Sequence, residues 1–190
     1  MAENDSRDNL YNLRIAAEEQ AGDMEEMVVL TAGQLGKAVS ALLVRADTIT
    51  AYAAGDVIST AAGEVLMFTG AADEADAQFL INGARMRIDT AAIPSGMGGF
   101  RLHLYNAAPT AIADNAAFNL PAADRSKYLG FVPISTPVDL GDTLWAQDDN
   151  LNVRGKLGSN TTLYGILETL AAYTPTASTV KTIQLYTLGV

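Results

Sequence analysis

Residues 100–105 read FRLHLY, and apolar and polar side chains alternate through the whole stretch. In an extended chain the first face would carry Phe100, Leu102 and Leu104, and the second would carry Arg101, His103 and Tyr105. Successive side chains leave a β-strand on opposite faces, so this pattern predicts a half-buried strand with a polar outer face. A polar, alanine-rich connection follows at 106–127, and the chain resumes with YLGFVPI at 128–134 and TLWAQ at 143–147.

Most of the sequence after residue 40 also predicts short β-strands. The candidate strands are 41–50, 56–60, 64–69, 78–89, 99–106, 128–134, 142–147, 151–157 and 180–188. Many short strands with Gly, Pro, Asn and Asp between them, and no long helical segment, predict an all-β, two-sheet antiparallel sandwich. A jelly roll is the natural closure for this number of strands. The segment 161–172 (TTLYGILETLAA) fits either a short helix or a core strand.

The composition excludes several kinds of partner. The formal net charge is −10 and the sequence has no cluster of Lys and Arg, so neither nucleic acid nor an anionic membrane is an expected partner. Apolar runs fall well short of the roughly 18 residues that a membrane-spanning helix requires. The chain has no cysteine, which excludes disulfides and thiolate metal sites.

The N-terminal segment differs from the rest of the chain. Residues 1–27 hold eight acidic and two basic side chains. Four apolar side chains approximate the spacing of one helix face and are the candidates for binding a partner: Leu10, Leu13, Met24 and Met27. The sequence therefore predicts an acidic, partly helical N-terminal arm at 1–36 and a β-sandwich domain at 37–190. The arm either docks on a partner, lies in solvent, or packs on its own sandwich.

The sequence gives little reason to expect catalysis. His103 is the only histidine, and no G-x-S-x-G turn accompanies it, so a Ser-His-Asp arrangement has no support. We interpret His103 as an exposed or interface residue. The carboxylates at 73–76 and at 148–149 are interpreted as solvated loop residues. No catalytic, cofactor-binding or metal-binding residues are expected.

Trp145 is the only tryptophan. Because it lies beside Leu144 in an apolar stretch, we interpret it as a core aromatic residue. The alternative is an exposed platform, since aromatic side chains stack on sugar rings in carbohydrate-binding jelly rolls.

Several segments also resemble a known family. They are FRLHLYNAAP (100–109), IADNAAFNLPAADRSKYLGFVPI (112–134), RADTITAYAAGDVIS (45–59), ARMRIDTAA (84–92) and LYGILETLAAYTPTAS (163–178). Together they resemble tailed-phage structural proteins that are encoded near the major capsid protein, and the likeness covers roughly residues 41–190.

This resemblance implies a non-catalytic capsid decoration (cement) protein of the jelly-roll type. Such a protein would bridge subunits of the major capsid protein on the exterior of the virion, commonly as a homotrimer, after assembly in the host cytoplasm. No cofactor is implied. A receptor- or glycan-binding module of a head fibre or tail is the alternative interpretation, and a structural protein of the tail or neck is a third.

Overall fold

The computed structural model describes residues 36–189, and within them it contains β-strands and one short 3-10 helix. The strands are β1 (Lys37–Val44), β2 (Val57–Ile58), β3 (Leu66–Phe68), β4 (Gln78–Ile88), β5 (Phe100–Tyr105), β6 (Tyr128–Ile134), β7 (Val138–Asp139), β8 (Leu144–Lys156), β9 (Leu163–Thr169) and β10 (Val180–Gly189). The 3-10 helix is Ala122–Asp124. The prediction of an all-β sandwich is confirmed. The predicted helical arm, with Leu10, Leu13, Met24 and Met27, lies outside the described residues.

The strands form two antiparallel sheets. Sheet I has the order β1-β10-β4-β8-β7, and sheet II has the order β2-β9-β5-β6, with β3 also paired to β9. Early strands pair with late ones: β1 with β10, β2 and β3 with β9, β4 with β8, and β5 with β6. The chain therefore doubles back as one long ribbon, which wraps so that β10 joins β4 and β9 joins β5. This is the strand order of a jelly roll, with β7 added at one edge.

The core lies between the two sheets because each strand turns its apolar positions inward. In β1 the buried residues Val39, Ala41 and Leu43 alternate with exposed neighbours. The prediction from FRLHLY is confirmed on this side, since Phe100, Leu102 and Leu104 of β5 are all fully buried. Burial of side chains of this size contributes roughly 1.5–3 kcal/mol each relative to exposure.

β8 corrects the predicted turn at 148–150. Residues 142–147 and 151–157 were expected to be separate strands, but Leu144–Lys156 is one strand that pairs with β4 along most of its length. Asn150 has φ of 64°, and the register of the β4–β8 pair shifts between Ile81 and Gly83. The polar residues therefore form a bulge inside the ladder, which Asn tolerates because it adopts the left-handed conformation more readily than most residues.

Two further segments depart from the predicted boundaries. The first strand was expected at 41–50 and lies at Lys37–Val44, because the chain leaves the sheet at Arg45. The ambiguous segment 161–172 contains strand β9, which is flanked by β5 on one side and by β2 and β3 on the other. No helix in the described part of the chain is long and apolar enough to cross a membrane.

Candidate functional site

The outer face of sheet I carries a group of aromatic, cationic and amide side chains that point away from the core. We call it the Arg85 face, and it comprises Arg85 and Arg87 from β4, Trp145 from β8, and Gln184 and Tyr186 from β10. Strand pairing sets their positions, since Arg87 lies between Trp145 and Thr182. Ala84, Met86 and Ile88 alternate with the two arginines and are fully buried, so Arg85 and Arg87 lie opposite the core.

Arg85 is held flat by Tyr186. Its Cζ lies 4.7 Å from the centroid of the Tyr186 ring, and its Nη1 donates a hydrogen bond to the Tyr186 hydroxyl. The hydroxyl in turn donates to Gln184 Oε1 at 2.7 Å. The Nε of Arg85 is buried and has no acceptor among the described residues. A ligand from outside the domain cannot reach this enclosed Nε, so the guanidinium would bind an acceptor through Nη2, which makes no hydrogen bond among the described residues.

Two hollows meet at Arg85. The first has a volume of about 280 Å³ and is lined by Asn82, Gly83, Arg85, Asp149, Asn150 and Tyr186. The second has a volume of about 190 Å³ and is lined by Ser40, Arg85, Arg87, Trp145, Thr182 and Gln184. Gly83 opens the first hollow, because a Cβ there would lie 3.4 Å from Asp149 Oδ1 and 3.5 Å from the Tyr186 ring.

The charges of this face are nearly balanced. Arg87 Nε donates to Asp89 Oδ1 at 2.9 Å, so its charge is matched by a carboxylate just past the end of β4. Arg85 shares a hollow with Asp149, whose Oδ2 accepts a hydrogen bond of 2.6 Å from Gln147. The face therefore offers donors, acceptors and aromatic surface without a strong net charge, which suits non-covalent binding.

Trp145 is not a core residue, so our preferred interpretation of it was wrong. Leu144 and Ala146 take the inward positions of this part of β8, and Trp145 is half-buried on the outer face. Tyr186 was missed by the sequence reasoning, although the inward positions of Ile183 and Leu185 already placed Gln184 and Tyr186 outward.

The outer face of sheet II has a different, enclosed polar cluster. His103 Nε2 lies 2.8 Å from Glu168 Oε2, and Arg101 Nη1 lies 3.1 Å from the same oxygen. A carboxylate only accepts, so Nε2 carries the histidine proton and Nδ1 accepts from the Tyr128 hydroxyl at 3.0 Å. Burial lowers the pKa of His103 in spite of the neighbouring carboxylate, so the ring is neutral at pH 7.

The connection 106–127 covers this cluster. The rings of His103 and Phe118 stack with centroids 3.6 Å apart, and His103 is only 3% exposed. Tyr105 is likewise buried against this connection. The expectation of an exposed or interface His103 was therefore wrong, because the polar face of β5 is covered by the chain itself. His103 and Tyr105 cannot form a subunit contact in this arrangement.

The acidic clusters hold no metal site in the part of the chain that the structure describes, where no group of three potential ligands converges. Asp148 accepts hydrogen bonds from the backbone and hydroxyl of Ser135. Asp73 pairs with Lys37, and Asp76 lies 3.5 Å from Lys156. These carboxylates are engaged by neighbouring groups of the domain.

Comparison of the sequence with protein-family models and with curated proteins gives no match. Solved structures give distant likenesses. A chain from the full particle of Israeli acute paralysis virus is 13% identical with a TM-score of 0.32, over 85% of this chain and 73% of that chain. A chain of Cocksfoot mottle virus is 10% identical with a TM-score of 0.30, over 82% and 94%. A chain of the empty capsid of Triatoma virus is 12% identical with a TM-score of 0.29, over 83% and 88%. At this level of similarity, the fold assignment rests on the strand order itself.

Proposed function

We propose that this chain is a non-catalytic structural protein of a phage virion, which decorates the capsid and stabilises it by bridging subunits of the major capsid protein. The proposal includes a homotrimer on the capsid exterior, assembled in the host cytoplasm. The observation that carries it is the sequence resemblance over roughly residues 41–190, whose segments supply strands to both sheets.

Two features of the fold support this role. Jelly rolls are common among viral capsid domains and lectins, and neither use of the fold needs catalytic residues. The single histidine is paired with Glu168 and stacked under Phe118, so it has no access to a substrate. Binding is therefore the function that these residues serve best.

The mechanism we propose is geometric. Residues 1–36 act as a separable attachment arm, and Leu10, Leu13, Met24 and Met27 bury against a neighbouring subunit. Each would contribute on the order of 1.5–3 kcal/mol at most, before the cost of ordering the arm. Several arms in one oligomer bind with higher avidity than one arm alone. A protein that binds only the assembled shell stabilises it by mass action.

Deletion of residues 1–36 tests the arm. The full chain should sediment with capsids that lack it, whereas the truncated chain should keep its melting temperature and remain in the supernatant. A matched control replaces Leu10, Leu13, Met24 and Met27 together by Ser, which keeps the length and charge of the arm. A truncated chain that unfolds or aggregates contradicts the proposal, because the arm would then belong to the folding of the sandwich. Sedimentation that survives truncation also contradicts it.

A receptor- or glycan-binding module of a head fibre or tail is the second candidate. The outward-facing, half-buried position of Trp145 beside Arg87 favours it over a purely structural role in the tail or neck. Such a role is also compatible with a decoration protein, since one protein can attach to a shell and present a binding face outward.

A further inference from the structure

We propose that the Arg85 face is a binding site for a neutral oligosaccharide, with one sugar ring against Trp145 and sugar hydroxyls on Arg85. This goes beyond the virion role and does not depend on where the protein sits in a particle.

Trp145 provides outward-facing aromatic surface. It is half-buried on the outer face, between Arg87 of β4 and the exposed Val138 of β7. Apolar C–H faces of sugar rings pack on indole, which combines a large apolar area with few rotatable bonds. Trp145 also lines a hollow, so a ring that stacks on it has polar groups beside it.

Arg85 provides a fixed guanidinium at the centre of the face. Its Nη1 donates to the Tyr186 hydroxyl and the guanidinium lies over the Tyr186 ring, while Nη2 has no hydrogen-bond partner among the described residues. A guanidinium held in this way presents the remaining N–H groups of Nη1 and Nη2 in one plane, which matches the oxygens of adjacent sugar hydroxyls. Tyr186 acts as a positioning residue, since its ring is occupied by Arg85.

The face also mixes donors with acceptors. Sugar hydroxyls donate and accept, so their site needs both kinds of partner in close alternation. The hollow beside Gly83 supplies the carboxylate of Asp149 and the amides of Asn82 and Asn150 next to the Arg85 donor. A carboxylate in the same hollow disfavours an anionic sugar or a polyanion.

The dimensions indicate an oligosaccharide rather than a single sugar. Trp145 lies opposite Arg87, and Tyr186 lies opposite Gly83, two strands away and four residues along β4. With strands about 4.8 Å apart and a rise of about 3.4 Å per residue, the two aromatic positions are separated by roughly 17 Å. Both hollows lie along this diagonal and meet at Arg85, which leaves room for several linked rings.

Because the chain has one tryptophan, its fluorescence reports directly on this face. The full chain is titrated with maltohexaose, cellohexaose, laminarihexaose, N-acetylchitohexaose and mannohexaose up to about 10 mM, and with a heparin hexasaccharide as the anionic probe. We expect a saturable change with at least one neutral hexasaccharide and little dependence on salt. For variants that lack Trp145, binding is measured by affinity electrophoresis in gels that contain the parent polysaccharide.

Arg85→Ala should weaken binding at least about tenfold, because it removes charged hydrogen bonds to the ligand. Trp145→Ala should abolish retardation in the gel. Tyr186→Phe should weaken binding by a smaller factor, since it keeps the ring but frees Nη1. The matched control is Phe131→Ala on the other sheet, which should leave binding unchanged. It removes an exposed aromatic residue whose ring centroid lies 4.6 Å from Arg101 Cζ. If Arg85→Ala lowers the melting temperature, the binding test uses Arg85→Lys instead, because lysine keeps the charge without the planar fork of donors.

Three results would overturn the proposal. The first is that no neutral hexasaccharide changes the fluorescence, whether or not heparin does. The second is binding that Arg85→Ala and Trp145→Ala leave unchanged. The third is that Arg85→Ala no longer sediments with capsids while the parent chain binds no saccharide. That result would assign the Arg85 face to a protein contact. Sedimentation with capsids tests the virion role separately, so either idea can fail alone.

Discussion

Replacement of Lys181 by methionine should stabilise the protein. Lys181 lies on β10 between Leu43 and Ile88, points into the core and is 1% exposed. Within residues 36–189 it forms no ion pair with a carboxylate. Burial, with a further contribution from the charge of Arg45, lowers the pKa of Lys181 from 10.5 to about 8. At pH 7 the folded protein therefore holds a charged amine in an environment that disfavours the charge.

The size of the effect follows from this change in pKa. A fall from 10.5 to about 8 corresponds to about 3 kcal/mol of disfavoured charge burial at neutral pH. Methionine has a similar shape without the charge, so Lys181→Met should raise the free energy of unfolding by up to about 3 kcal/mol. For a domain of this size, the melting temperature should rise by roughly 6–12 °C.

The pH dependence gives the sharper test. Between pH 8 and 10.5 the folded state releases the Lys181 proton before the unfolded state does, so the parent protein should gain stability as pH rises through this window. The Lys181→Met variant should lack this gain, and its advantage should shrink toward zero above pH 10.5. Urea denaturation at several pH values measures both curves, and Lys156→Met on an exposed part of β8 is the control. A less stable Lys181→Met variant, or an advantage that does not change with pH, would refute the reasoning.

Three further predictions concern other parts of the molecule. Asp114→Ala should lower the free energy of unfolding, measured by urea denaturation, by about 3 kcal/mol, because it leaves the buried guanidinium of Arg45 without its carboxylate and the Tyr52 hydroxyl without its acceptor. Asp114→Asn should lose less stability, and equal losses would argue against a charge effect. As pH falls below 6.5, the unfolded chain binds the His103 proton first, so stability should fall between pH 7 and 5 more steeply in the parent than in His103→Gln; identical slopes would contradict the buried, neutral histidine. The full chain should sediment as a trimer of the 20.0 kDa protomer in analytical ultracentrifugation, and a monomer at micromolar concentration speaks against it.

The alternation of apolar and polar residues along the strands was enough to predict which side chains face the core. Phe100, Leu102 and Leu104 were placed in the core from spacing alone, because only one register buries all three. The jelly roll was predicted from the number of strands alone, and their long-range pairing and order are known only from the structure. The turn predicted at 148–150 was wrong because Asp and Asn favour turns and bulges alike, and local composition does not distinguish them.

The outer faces were less predictable for a physical reason. Polarity predicts exposure only when nothing covers the polar side chain, and the connection 106–127 covers His103 and Tyr105. The prediction for Trp145 was wrong in the opposite direction: its place in an apolar stretch suggested burial, but Leu144 and Ala146 take the inward positions there. The Arg85 face depends on side chains from three strands that are far apart in sequence, so their meeting required the sheet order.

The most direct test of the virion role is to locate this chain by electron cryomicroscopy in the particle to which it belongs. We expect a jelly roll with the strand order of sheets I and II on the outer surface of the shell, in trimers that bridge neighbouring subunits of the major capsid protein. Density for the chain in the tail or neck, or its absence from purified particles, would contradict this role.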